Sequence, residues 1–287
     1  TNNSTQDATV TVKDRVPYLL KPVAGSVVDG SLSGSTVTAT RTIPGQQAPD
    51  VSVAPGASPG GGYVPLSLFG IAPIAGVGDE TITNFTVPAF TLAGVTYSRI
   101  GVVSNGYVVL GGGTAADVDF LNTDLPNPNR PNNIIAPFWT DLNPTFGGAM
   151  RVNILTDGVT AYLVAEWDAV REYSSARTAS FQVWIQLGDT EGAWMTYGTV
   201  QGNGDGGFLT VGAENPDGTK GQAVYVDGDG TLPVEGDELL VTGTPGVTSS
   251  ATVTYQAKGQ YVGSHVNYAE VTGGPIDGIA VARFAGK

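Results

Sequence analysis

The chain has 287 residues, 41 of them Gly, 18 Pro and none Cys, with 14% charged; the length accommodates two domains, and the composition favours short strands and turns over helices. Thirteen basic against 26 acidic residues give a formal charge of −13, which repels phosphate backbones and anionic membrane surfaces, so no nucleic-acid partner is expected. The absence of cysteine excludes disulfides, thiol nucleophiles and thiolate metal sites.

No apolar run is long enough to span a bilayer, and no basic segment followed by an apolar one opens the chain. No membrane insertion is expected, and the chain reads as a mature segment or an excised piece, with any export signal outside it. The opening stretch, TNNSTQDATVTVKDR onward, alternates small polar with β-branched residues. Ala8, Val10 and Val12 share one parity, Val37 and Ala39 another strand's, as in an immunoglobulin-like sandwich. Asn2-Asn3-Ser4 is turn chemistry, which puts the start of the piece inside a domain.

From Pro44 to Pro65 prolines and glycines interrupt any ladder, which predicts a linker or an edge crossing. Two stretches then organise the middle of the chain. IGVVSNGYVVLGGG (Ile100 to Gly113) is an apolar strand turned at Ser104-Asn105-Gly106; RPNNIIAPFWTDLNP (Arg130 to Pro144) delivers Ile134, Ile135, Phe138 and Trp139 to a core. Between them Asp117 to Asn133 predicts a polar loop ordered by asparagine turns. Strands follow at Met150–Ile154, Ala161–Val170 and Ser180–Leu187. The last alternates most cleanly, with Phe181, Val183, Ile185 and Leu187 inward and Gln182, Trp184 and Gln186 outward. Further strands at 194–200, 208–213 and 223–226 are separated by Gly/Asp/Asn turns, the spacing of a sandwich. After Pro245 the texture of the opening returns at Ser250–Tyr255 and Val262–Val271.

The segments RIGVVSNGYVVLGGG, RPNNIIAPFWTDLNP and QGNGDGGFLTVGAENPDG (Gln201 to Gly218), in this order, resemble the nidogen-like β-sandwich of the non-catalytic C-terminal region of secreted bacterial subtilisin-like (S8) serine proteases. The flanks, with NNSTQDATVTVKD and VNYAEVTGG, resemble immunoglobulin-like bacterial surface repeats. The expected fold is all-β: an immunoglobulin-like domain (1–58 and 245–287) interrupted by an inserted nidogen-like, jelly-roll-type sandwich (59–244). The resemblance implies an extracellular accessory region, secreted or at the cell surface, whose partner is an upstream protease domain. The protease's own signatures are absent: there is one histidine, His265, in a strand-like stretch, and no subtilase nucleophile or Asp-Thr-Gly segment.

Three constellations carry chemistry. Glu166 and Asp168, two apart on a strand, point to one face, with Glu172 following; such pairs serve retaining glycosidases when about 5–5.5 Å apart. The spacing to Glu172 demands a distorted strand, and Arg151, Arg171 and Arg177 can pair the acids on a solvated face, which is the preferred reading. Asp227-Gly-Asp229-Gly resembles the start of a calcium loop but lacks the later ligands, so a hairpin turn is expected. No cofactor is expected; calcium is the alternative, with candidate ligands in Asn203 and Asp205, or in Asp117, Asp119 and Asp124, although such acidic glycine-rich loops are also ordinary turns. Trp184 between Gln182 and Gln186 is the candidate platform for a protein or polysaccharide ligand, or for a covering domain or loop. The leading expectation is a non-catalytic accessory region that aids substrate binding or positions the enzyme. The alternatives are a structural or adhesive surface module and a carbohydrate-active enzyme on a jelly roll.

Overall fold

Turn-forming Gly, Asn and Asp between β-branched runs fold the described residues into 20 strands and three short 3-10 turns. The computed structural model describes residues 1–2, 4–273 and 278–286, of which 265 and 278–286 are described by backbone alone. In chain order the strands are β1 (Ala8–Arg15), β2 (Leu20–Pro22), β3 (Ser31–Ser33), β4 (Thr36–Ile43), β5 (Asp50–Pro55), β6 (Ile82–Leu92), β7 (Val95–Val103), β8 (Tyr107–Leu110), β9 (Ile134–Trp139) and β10 (Ala149–Thr156). There follow β11 (Ala161–Arg171), β12 (Thr178–Gln186), β13 (Ala193–Val200), β14 (Thr210–Glu214), β15 (Gly221–Val226), β16 (Asp229–Gly230), β17 (Glu238–Thr244), β18 (Ala257–Gly259), β19 (Gly263–Thr272) and β20 (Gly278–Gly286). The fold is all-β, and among the described residues no helix is long and apolar enough to cross a membrane. The chain divides into two units, 1–47 with 247–287, and 48–246.

In the first unit β20-β19-β1-β4-β3 form one antiparallel sheet, and β18 pairs with β2. The Thr/Val alternation of β1 has a direct outcome. Thr9 and Thr11 face solvent and meet Thr42 and Thr40 hydroxyl to hydroxyl at 2.9 Å, a cross-strand pairing suited to an exposed face. Val10 and Val12 point the other way and, with Val37 and Val253, line one partly open pocket. There Asp14 accepts from Asn267 Nδ2 (2.7 Å) and Tyr255 OH (2.8 Å); burial and this carboxylate push the Tyr255 phenol up to about 12. Ser250–Tyr255 corrects an expectation. It is extended but makes only the isolated bridge Val28↔Thr254, and it covers the sheet without a ladder of its own. At the start, Asn2 bridges Ser249 and its side chain accepts from the Ser4 amide, while Asn3 lies outside the described residues. His265 lies in the β19 backbone, and its side chain lies outside the described residues.

The second unit is a sandwich of a six-stranded sheet (β10-β11-β12-β13-β17-β5) and a seven-stranded one (β16-β15-β14-β9-β8-β7-β6). Their inner faces share one core, in which Ile100, Val108, Ile135 and Phe138 from one sheet meet Leu163, Trp167, Phe181 and Met195 from the other. Phe181 stacks on Trp167 and Phe138 with centroids 5.0 and 5.4 Å apart, and Trp167 Nε1 donates across to Val103 O at 3.1 Å. Fully burying side chains of this size contributes roughly 1.5–3 kcal/mol each. The stretch read as a linker or edge crossing contains β5, which pairs with β17 and closes the edge of the six-stranded sheet.

Both organising stretches sit at the centre of the seven-stranded sheet. The Ser104-Asn105-Gly106 turn joins β7 to β8. Gly106 has φ +82°, and a Cβ there would lie 2.0 Å from Phe138 O, so neither the backbone conformation nor the space admits a side chain. All six residues of β9 are buried. Ile135 and Phe138 serve the main core, whereas Ile134, Ala136 and Trp139 pack on the other face with Tyr107 and Leu125. That second face is roofed by the polar loop, whose carbonyls at Asp117 and Asp119 accept from Tyr107 OH and Trp139 Nε1, both at 2.9 Å. The expected asparagine-type turns are present, with Asn127 accepting from Asn129 N and Asp119 from Leu121 N.

Candidate functional site

The face of β11, β12 and β13 turned away from the core carries Glu166, Asp168, Gln182, Trp184 and Thr196, as the period-two alternation requires. The parity holds, but the face is not free. The segment from Ser58 to Ile71, which includes the short turn Leu66–Phe69, crosses it and leaves Glu166 and Gln182 fully buried and Trp184 3% exposed. Gln182 and Trp184 point away from the core as expected, and the covering loop weighed for Trp184 is this segment, which leaves neither side chain exposed; Gln186, at the end of β12, is half-buried.

A continuous polar network fastens the segment down. Glu166 Oε1 accepts from Leu66 N (2.9 Å), Gln182 Nε2 (3.0 Å) and Tyr63 OH (3.1 Å), while Oε2 receives Arg151 Nη1 at 3.0 Å. Arg151 Nη1 also reaches Asp168 at 2.8 Å, and its Nε donates to Ile71 O. The Gln182 amide pairs with both backbone groups of Val64, donating to its carbonyl at 2.5 Å and accepting from its N–H at 3.1 Å. Gln182 Oε1 also accepts from Trp184 Nε1 at 2.9 Å. Burial, and then the Glu166 and Asp168 charges, hold the Tyr63 phenol far above its ordinary value. Burial lowers the Arg151 guanidinium, but its bonds to Asp168 and Glu166 outweigh that, so it stays charged.

The arginine–acid pairing expected from sequence is present for Arg151 and Arg177, but not on a solvated face. Arg177 Nε holds Glu172 at 2.7 Å, with Glu172 1% exposed. Arg171 instead donates to Ser175 O and lies over the Phe146 ring. A β-bulge between Trp167 and Val170, with Ala169 at φ +50°, reverses the alternation. Glu172 therefore parts from the face of Glu166 and Asp168, and the three acids do not form one site.

Beside the network lies a groove of about 470 Å³, lined by Pro59, Gly60, Val64, Phe69, Tyr162 and Trp184 among others. A Cβ on Gly60 would stand 2.9 Å from the Trp184 ring, so glycine is what lets the crossing segment lie against the indole. Tyr162 meets Trp184 and Trp194 edge-on at 6.1 and 6.2 Å. Phe69, 57% exposed, is at the groove's lip.

Among the described residues, the cluster of three acids close enough to share one ion is not one picked from the sequence. Asp205 accepts from Ser174, Asp117 pairs with Arg130 and caps Thr114, and Asp119 closes a turn on Leu121. Asp227-Gly228 is the tight turn of the β15–β16 hairpin, both residues at positive φ, and Asp227 Oδ1 accepts from Leu209 N and Asn122 Nδ2. Among the described residues, Asp79, Glu80 and Asp141 instead bring one carboxylate oxygen each within 4.8 Å of one another, three of the six to eight oxygens calcium takes. Asp79 Oδ1 and Asp141 Oδ1 are buried with no hydrogen-bond partner, and Asn105 Nδ2 donates to Glu80. Burial, then Glu80, Asp205 and Asp79, push the Asp141 carboxyl up to about 6. Tyr63 and this trio were missed in the sequence. The one available signal for Tyr63 was a lone aromatic inside a Gly/Pro-rich stretch; for the trio, residues 79 and 141 meet only through the fold.

A family model described as NIDO related matches residues 58–262, a span that begins with the crossing segment and takes in both organising stretches. No curated protein and no solved structure matches the chain.

Proposed function

We propose a function from one premise: the chain belongs to the NIDO-related family. It is a non-catalytic accessory region of a secreted or cell-surface subtilisin-like protease, and it aids substrate binding or positions the enzyme. The observation that carries this reading is the engagement of Glu166. Of the carboxylate pair that would serve a glycosidase, Glu166 lies under the Ser58–Ile71 segment with both oxygens accepting hydrogen bonds, and Arg151 bridges it to Asp168, whose side chain is 31% exposed. A general acid or nucleophile has to reach substrate, and a fully buried carboxylate that holds a backbone segment in place is arranged for stability. The neighbouring groove, floored by Trp184 and lipped by Phe69, supplies an apolar surface of the kind a binding module offers.

The test compares the full-length protein encoded by the gene with a form lacking residues 1–287, on an insoluble protein substrate. Loss of this region is expected to raise KM and leave kcat unchanged. A reading frame without a subtilisin-like catalytic domain, or equal KM for the two forms, would contradict the proposal.

A further inference from the structure

The first unit carries its own cleft, of about 850 Å³, at the end of its sheet. Its walls include Arg15, Tyr18, Lys21, Tyr261 and Tyr268, and among the described residues no Asp or Glu lines it. Arg15 ends β1 and Tyr268 lies in β19; one register step past the Asp14↔Ala269 pair sets them opposite each other on the outer face. Tyr18, Tyr261 and Tyr268 are 72%, 64% and 58% exposed, and the first two rings stand 6.5 Å apart. Exposed tyrosines in one cleft are a recognition surface, since each presents a flat apolar face with a polar rim at little entropy cost on ordering.

Charge separates this unit from the rest of the chain. It holds seven basic and five acidic residues, formally +2, while the other unit holds six and 21, formally −15. Among the described residues neither Arg15 nor Lys21 makes an ion pair; the pairs present are Arg41–Asp29, Arg130–Asp117, Arg151 with Glu166 and Asp168, and Arg177–Glu172. Two unpaired cations beside three exposed rings ask for a ligand that offers flat apolar faces and carboxylates together.

We infer that this cleft binds an acidic polysaccharide, a chain of uronate sugars whose ring faces stack on Tyr18, Tyr261 and Tyr268 while its carboxylates meet Arg15 and Lys21. A uronate residue carries both features on one ring. An acidic peptide satisfies the cations but gives the tyrosines no regular flat partner, and a neutral glycan leaves the cations unused.

The full chain is titrated with polygalacturonate, with dextran and polyglutamate as comparisons. Saturable binding to polygalacturonate alone is expected, about fivefold weaker in Tyr261→Ala, given ~1 kcal/mol for an aromatic contact. Arg15→Gln with Lys21→Gln should weaken it similarly and flatten its salt dependence. All these side chains are exposed, so unchanged thermal unfolding verifies each variant; if Tyr261→Ala loses stability, the double charge variant decides alone. Equal binding of polyglutamate or dextran, no binding of polygalacturonate, or affinity unchanged by the variants would overturn the inference.

Discussion

Glu166 accepts four hydrogen bonds while buried, so the charge and its donors stand or fall together. Removing one partner of a buried ion pair leaves an uncompensated charge, at a cost of roughly 3–5 kcal/mol. Arg151→Met is therefore expected to lower stability by about that amount in urea titration, and Arg151→Met combined with Glu166→Gln to recover part of it. Two other acids set a pH dependence. Burial raises Glu214 from 4.5 to about 7 and Asp141 from 3.8 to about 6. In each case the folded state binds more protons than the unfolded one between the two values, so stability is highest below the unfolded pKa and is lost as pH rises toward the folded one. Thermal unfolding followed from pH 8 to pH 5 should show a rising midpoint, and Glu214→Gln should flatten that rise. A midpoint that falls over this range would contradict the assigned environments.

At the scale of the element, two backbone positions make opposite predictions. Gly106→Ala places a methyl against Phe138 O in the central turn and is expected to destabilise by more than the ~1 kcal/mol of a positive-φ penalty alone. Ala169→Gly relieves a side chain held at φ +50° in the β11 bulge and is expected to stabilise by about 0.5–1 kcal/mol; denaturant titration of both variants measures the difference. These sites also show what was legible in the sequence. The alternation of Phe181, Val183 and Ile185 identified the core face of β12, and the Ser104-Asn105-Gly106 turn was readable from its residue types. Alternation separates two faces but does not say whether the second is covered, and Trp184 is covered by a segment more than a hundred residues earlier whose composition reads as a linker. The bulge that parts Glu172 from Glu166 has no sequence signal, because Ala169 is not a residue that advertises positive φ. Ser250–Tyr255 has a strand's pattern, yet it makes one bridge where a strand makes a ladder.

For the whole molecule, the six- and seven-stranded sheets enclose a core drawn from residues 48–246 alone, whereas the first unit's sheet joins β1 and β4 to β19 and β20 from the other end of the chain. Residues 48–246 expressed alone are therefore expected to unfold in one cooperative transition in calorimetry, and residues 1–47 alone to give none. Retained cooperative unfolding of 1–47 would contradict the shared sheet. The non-catalytic reading depends most heavily on Glu166 and Asp168 being structural. The direct measurement is turnover by the purified chain on casein and on a panel of polysaccharides, set beside Glu166→Gln and Asp168→Asn. No turnover by any of the three and a lowered unfolding midpoint in Glu166→Gln are expected; turnover by the unaltered chain that either substitution abolishes would contradict the structural role of the pair.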